Sequence, residues 1–339
     1  MSVSEARATL KDLAAGKVVP PPAYRGRQWL FLLLFAVVAW FVPEIYGRSA
    51  YHDSILNQIL INAILALGFY WCFRLAGQFT FGVFAMYAAG AYVSVWGANY
   101  FGDFWLGLVS AAVVTGLLGA LAKLVFARLS PIYFAIATVG LGGLMLILFR
   151  EWVSFTGGYN GVGDIKIPVF FGDKLNLTHE RYYLILALLV LFLALTIAVI
   201  RSPVMRELAM ARDKGPVAAT AGLRPRTLQL IAFAVGTAMQ GVAGSLYAHN
   251  SSYFSLESFS VDISLSVLLM VLLGGLGSIY GPVIGAAIVV LLPELLRGAE
   301  KYSEVIYAAL VLVIIVAFPG GIADIRRVAG RWVRRARGR

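Results

Sequence analysis

Long apolar runs separated by short polar stretches recur along nearly the whole chain. A helix that crosses a bilayer needs about 20 predominantly apolar residues. The runs at 29–46, 54–73, 104–127, 131–149, 182–200 and 228–248 meet or approach that length, and another ends near 97. The apolar stretch 263–296 is interrupted by glycines in its middle and reads as two spans, and a last run covers 304–318. The pattern predicts an all-α fold, a polytopic transmembrane helical bundle of about ten spans with broken helices.

Three regions follow from the pattern. Residues 1–28 form a polar N-terminal segment, with a short surface helix predicted over 4–15 and a break at Pro20-Pro21-Pro22. Residues 29–322 form the transmembrane domain. Residues 323–339 are an arginine-rich tail. The polar lead before the first apolar run is too long for a signal peptide, so the first hydrophobic segment is expected to be retained.

Composition agrees with a bilayer as the main solvent. Of the 339 residues, 60% are hydrophobic and 13% charged, too little polar surface to cover a soluble domain of this length. The net charge of +11 argues against nucleic acid rather than for it. Its basic residues sit in short segments between or beyond the apolar runs, as positive-inside topology requires. Ten crossings put the N-terminus, Arg74, Lys123 with Arg128, residues 201–227 and the tail on one side, the cytoplasmic one. They put residues 98–103, 150–181, the Glu257/Asp262 loop and 294–304 on the other.

Chemistry-bearing residues are few. Cys72 is alone and lies in an apolar run. His52, His179 and His249 fall at segment ends and read as interfacial side chains. Lys123 is expected to snorkel to the interface. No Walker-type phosphate loop, Gly-x-Ser-x-Gly or His-Glu-x-x-His occurs, so no catalytic residue, metal site or cofactor is expected in the chain. Ion-driven carriers usually need acidic groups at depth. A self-sufficient carrier or channel is therefore the weaker alternative, and an intramembrane enzyme weaker still.

The glycine breaks are the better lead. Gly77, Gln78 and Gly82 in the first, and Gly274, Gly275, Gly277 and Ser278 in the second, are candidates for the substrate pathway. Unwound backbone there offers amides and carbonyls to an amino acid's carboxylate and ammonium. The alternative is helix packing, for which Gly281 and Gly285 have the Gly-x-x-x-Gly spacing. The two breaks loosely echo each other and hint at an internal repeat. In the loop 150–181, Gly157, Gly158, Asn160 and Gly161 form a turn-rich segment, and Ile165-Lys166-Ile167 alternates like a short strand.

Residues 201–227 are the main polar segment inside the apolar body. Ser202-Pro203 is a helix start, with serine as N-cap and proline at the first helical position. Gly215 stops that helix, Pro216 starts another and Gly222 stops the second. Two short helices joined by a Gly-Pro corner make a compact knob suited to a partner's groove.

Several ordered stretches resemble the LivM-type permease of branched-chain amino acid ABC importers. They are Ala76-Gly77-Gln78-Phe79-Thr80-Phe81-Gly82 with Gly90-Ala91-Tyr92, then Thr156-Gly157-Gly158-Tyr159-Asn160-Gly161. Next come Ala211-Arg212-Asp213 through Ala218-Ala219-Thr220-Ala221-Gly222, and Ala232-Phe233 to Gly241-Val242-Ala243-Gly244-Ser245-Leu246-Tyr247-Ala248-His249. The last are Leu273-Gly274-Gly275-Leu276-Gly277-Ser278-Ile279-Tyr280-Gly281-Pro282 and Phe318-Pro319-Gly320-Gly321-Ile322. The resemblance implies a permease subunit in the bacterial inner membrane, multi-pass with cytoplasmic termini. It implies a second, LivH-like permease, two cytoplasmic ATPase subunits that bind the ATP, and an extracytoplasmic substrate-binding protein. Ala218, Ala219 and Gly222 match the coupling segment that contacts the ATPase, and Glu207, Arg212 and Asp213 stand beside it. The sequence departs from the pattern at Thr80 and Val83, where serine and histidine are more usual. The wider family includes urea and short-chain amide permeases, which leaves the substrate open between these and hydrophobic amino acids.

Overall fold

The computed structural model describes residues 27–45, 49–163, 165–166, 169–170, 173–174, 178–213, 224–251 and 253–296. The expected span at 304–318, the N-terminal segment 1–26 and the tail lie outside the described residues, as do Ala218, Ala219 and Gly222.

The chain is all-α and polytopic. In order it forms α1 (Arg27–Ile45), α2 (Ala50–Tyr70) with a π-turn over Trp71–Leu75, α3 (Val83–Phe101), α4 (Phe104–Val125) and α5 (Pro131–Glu151). A short helix α6 (Val153–Thr156) and strands β1 (Val162–Gly163), β2 (Val169–Phe170) and β3 (Asp173–Lys174) lead to α7 (Thr178–Arg201). Then come α8 (Pro203–Asp213), α9 (Pro225–Asn250), β4 (Tyr253–Phe254), α10 (Val261–Gly274) and α11 (Gly281–Leu295). Among the described residues, six helices are long and apolar enough to cross a membrane, and the segments Gln28–Glu44 and Gly281–Leu295 are shorter apolar helices. The α8 helix starts at Pro203, where Ser202-Pro203 predicts it, and the second short helix of the knob falls outside the described residues.

Hydrogen bonds between ends fix the direction of each helix. At one end Tyr280 donates to the Gln28 carbonyl (2.8 Å) and Arg201 to the Gln28 side chain (3.2 Å), so α1 and α11 start where α7 stops. Arg212 of α8 donates to the Arg74 carbonyl (2.7 Å), and Gln229 of α9 donates to the Ala211 carbonyl (3.0 Å). This is the basic end. At the opposite end Asn57 donates to the Thr178 carbonyl and the Asn250 side chain, Arg181 donates to the Asn250 carbonyl, and Tyr51 donates to Glu294.

The core is the packing of α9 against α3, α4 and α2. Small residues let these backbones touch: a Cβ on Gly90 would lie 2.1 Å from the Gly241 carbonyl oxygen, and one on Gly244 would lie 2.0 Å from that of Tyr87. Glycine seams of this kind are how helices associate where lipid gives no hydrophobic drive. Around the seam lie fully buried Phe69, Phe84, Tyr92, Phe134 and Phe233.

Both ends of the bundle contain non-helical chain that turns inward. After the 26-residue helix Ala50–Leu75, residues 76–82 turn back beside it, with Phe79 against the rings of Phe73 (5.4 Å) and Phe69 (6.2 Å). After the 26-residue helix Pro225–Asn250, the segment 251–260 buries Phe254 and Phe259 against Tyr92. The two inward segments then start α3 and α10. The segments 76–82 and 253–260 thus enter from opposite ends, and the glycine stretch 274–281 is a hairpin turn.

Candidate functional site

The first break begins where the α2 helix loosens. Its last turn widens to a π-turn, which places Arg74 at the basic end, and Gly77 then reverses the chain at φ +70°. This left-handed conformation is one that glycine adopts without penalty. The following backbone is extended inside the bundle, where its polar groups need partners. Three hydroxyls supply them. Gly82 N–H donates to Thr80 Oγ1 and Phe81 N–H to Thr138 Oγ1 (3.1 Å each). Ser264 Oγ accepts from Phe84 N–H (3.1 Å) and donates to the Phe81 carbonyl (2.7 Å).

Gly82 lies deep in the bundle. Thr80, Gly82, Thr138, Thr237 and Gln240 line a cavity of about 10 Å³, and the last two are midway along α9. Gln240 is fully buried, its nitrogen faces Cys72 Sγ at 3.8 Å, and its Oε1 has no hydrogen-bond partner. A volume near 10 Å³ admits about one water.

The second break is tighter. Gly274 ends α10, Gly275 sits at φ +99°, and Ser278 accepts from Tyr280 N–H (3.3 Å) before α11 begins. A Cβ on Gly274 would lie 1.8 Å from the Gly281 carbonyl oxygen, and one on Gly285 would lie 1.6 Å from that of Met270. These glycines close the α10–α11 hairpin, which is the packing role. Gly277 differs, with nothing within 4 Å of a Cβ placed on it.

The two breaks meet at the basic end. Phe73, Arg74, Gly77, Arg212, Leu276 and Gly277 line an open cleft of about 480 Å³. Arg212 covers Gly77 so closely that a Cβ there would lie 2.4 Å from its Cγ. The sequence assigns Gly77 and Gly277 to the pathway and Arg212 to a partner-docking knob, and the fold brings all three to one cleft. Gln78, whose N–H donates to the Cys72 carbonyl (2.9 Å), follows Gly77 on the inward segment. Glu207 is half-buried on α8, and Asp213 is that helix's last residue.

The turn-rich loop forms a knob at the far end. Gly157, Gly158 and Gly161 all have positive φ, and a Cβ on Gly161 would lie 2.5 Å from the Phe254 carbonyl oxygen. The strand is at Val162–Gly163, where it pairs antiparallel with Tyr253–Phe254, while Ile165 and Lys166 are not in a strand and Ile167 lies outside the described residues. Tyr253 also donates to the Asn160 carbonyl (3.0 Å). The loop thus lies on the segment 251–260 and leaves Trp152, Val153, Tyr159 and Tyr253 exposed.

Two sequence expectations are corrected here. His249 is buried rather than interfacial, because the loop folds over it. Its Nδ1 lies 2.8 Å from the Lys166 carbonyl oxygen, its Nε2 3.0 Å from Ser94 Oγ, and Ser94 is 2.6 Å from Ser245. Lys123 is buried as well, because Phe134 in the first turn of α5 covers it, with the ammonium 5.4 Å from the ring centre. His249→Ala orphans the Lys166 carbonyl and removes one of the two partners of Ser94. We expect it to cost about 2–3 kcal/mol, read as a lower thermal midpoint of the purified protein, with His249→Gln retaining part of the loss.

The residues missed by sequence reading are the ones that fasten the breaks. Arg74 was read only as a span end, and Thr138, Ser264 and Gln240 were not singled out. Hydroxyl and amide groups inside apolar runs were the available signal, since such groups in a membrane bundle need a partner.

Comparison with known proteins decides the family. The description "branched-chain amino acid transport system / permease component" matches residues 51–318. The chain belongs to this family. The permease is 31% identical to the high-affinity branched-chain amino acid transport system permease protein LivM of Escherichia coli (strain K12), over 94% of this chain and 80% of that one. It is 24% identical to the probable branched-chain amino acid transport permease protein LivM of Methanocaldococcus jannaschii, over 82% of this chain and 84% of that one. Its likeness extends to the permease protein LivH of E. coli (strain K12), 24% identical over 77% of this chain and 90% of that one. No solved structure matches the permease.

Proposed function

We propose that this permease is one of two transmembrane subunits of an ATP-driven importer in the bacterial inner membrane. A second, LivH-like permease pairs with it, two cytoplasmic ATPases drive it, and an extracytoplasmic binding protein delivers the cargo. The cargo is a branched-chain or related hydrophobic amino acid, the substrate class in the names of its relatives. The chain crosses the membrane about ten times with both termini cytoplasmic, and the positive-inside rule makes the basic end the cytoplasmic one. The segment 201–227 docks on the ATPase, and the knob at 157–161 meets the binding protein.

The observation that carries this reading is the bond from Arg212 of α8 to the Arg74 carbonyl, with the Arg212 stem packed over Gly77. A helix on the cytoplasmic face is thereby tied directly to the start of the unwound segment. Motion of a docked ATPase has a short route to the chain beside the cargo, and contact between two-state elements is what coupling requires. The two breaks supply the unwound backbone along which an amino acid's charged groups can be met without fixed intramembrane charges.

The test is purification of this chain from its native membrane, followed by ATPase assay with leucine, urea and a matched binding protein. Co-purifying ATPase subunits with leucine-stimulated turnover is the expected result. Stimulation by urea alone moves the cargo to the amide class. A lone chain that drives ion-coupled uptake in liposomes overturns the reading.

A further inference from the structure

The cleft at the basic end has a chemistry that the coupling role does not use. Arg74 is half-buried on the π-turn, and among the described residues its guanidinium enters no hydrogen bond or ion pair. Arg212 lines the same cleft, and among the described residues no acidic one does. A half-buried guanidinium without a partner leaves a positive field that an anion relieves. The opposite character is also present, because Phe73 and Leu276 are apolar lining residues. At about 480 Å³ the cleft is ample for a leucine-sized solute. Gly77, in its lining, is where the inward segment begins, and that segment ends at Gly82 in the middle of the bundle. The cleft is therefore the mouth of the unwound route.

We propose that this cleft is a release station for the cargo. Arg74 holds the carboxylate of an apolar α-amino acid, while the cargo's side chain rests on Phe73 and Leu276. The proposal rests on the reading of the chain as an amino-acid permease. A lipid phosphate or an acidic side chain of a partner would answer the same charge, and the test separates them.

The test uses the assembled transporter in nanodiscs, without binding protein or nucleotide. Equilibrium dialysis measures radiolabelled leucine, and leucinol, which lacks the carboxylate, is the competitor. The expected result is that Arg74→Gln weakens leucine binding by at least about tenfold, that Arg74→Lys recovers part of it, and that leucinol competes poorly with leucine on the unsubstituted complex. Leucine binding that is undetectable, unchanged by Arg74→Gln, or equally well displaced by leucinol overturns the proposal. So does Arg74→Gln acting through a different anion, seen as lost phosphatidylglycerol in native mass spectrometry or as lost retention of the ATPase subunits. Uptake of leucine by the unsubstituted complex in proteoliposomes, supplied with binding protein and ATP, is measured alongside. If that uptake is present and Arg74→Gln leaves dialysis unchanged, only the release station fails. If the unsubstituted complex takes up no amino acid, the permease reading fails with it.

Discussion

Gly285→Ala is expected to prevent accumulation of folded protein, while Gly277→Ala, eight residues away, leaves stability unchanged. The two glycines look alike in sequence, both in or beside the second break. At Gly285 an added Cβ would stand 1.6 Å from the Met270 carbonyl oxygen, a backbone atom that cannot rotate aside. The α10–α11 hairpin would have to part along its length, and overpacking of this severity costs about 3 kcal/mol or more. At Gly277 nothing lies within 4 Å, and changes at such open positions stay within about 0.5 kcal/mol. The yield of folded protein from membranes measures the first, and thermal unfolding of the purified variant the second. A stable Gly285→Ala protein would mean that the hairpin seam is not load-critical. Uptake lost in a stable Gly277→Ala complex would assign Gly277 to the cargo route.

The second large effect is expected at Gly77. Alanine there meets two penalties. A side chain at φ +70° costs about 1–2 kcal/mol, and its Cβ would lie 2.4 Å from Arg212 Cγ, displacing the arginine from the Arg74 carbonyl. The expected outcome is an assembled complex that still hydrolyses ATP but whose uptake falls by about tenfold, the change that about 1.4 kcal/mol produces. Gly102→Ala is the control. That glycine also sits at positive φ, +80°, but nothing is within 4 Å of its Cβ position, so it carries the backbone strain without the Arg212 contact. Equal loss of uptake in both variants would remove Arg212 from the explanation.

Much of this architecture is legible in the sequence because the bilayer imposes a simple code. Apolar runs of fixed length give the helices, and glycines inside them give the breaks at 76–82 and 274–281. The functional meaning of the individual glycines is less legible. Gly274 and Gly285 close a hairpin and Gly77 reverses the chain, and these roles depend on which backbone stands opposite, which spacing does not report. His249 and Lys123 were placed by their nearness to span ends, but the atoms that bury them come from Lys166 and Phe134, on other elements. The two-residue bridge between Val162–Gly163 and Tyr253–Phe254 is too short to have a periodicity. The cleft joins Arg74, Arg212 and Gly277, three positions without local pattern in common. Side chains so far apart in the chain can be assembled on paper only after the helix directions are known.

The inward segment 76–82 is held to its neighbours by the hydroxyls of Thr138 and Ser264, which bond the amide and the carbonyl of Phe81, and not by a helical ladder. Each such bond contributes about 0.5–1.5 kcal/mol net, so the two together stay below the roughly 5.5 kcal/mol that inverts a 1:99 population. Releasing Phe81 means turning two side-chain rotors, a class of motion that takes picoseconds to nanoseconds when unhindered. No helix has to unwind and re-form. The unwound segment is thus held by a fastening with a low kinetic threshold, set into a frame of closely packed glycines.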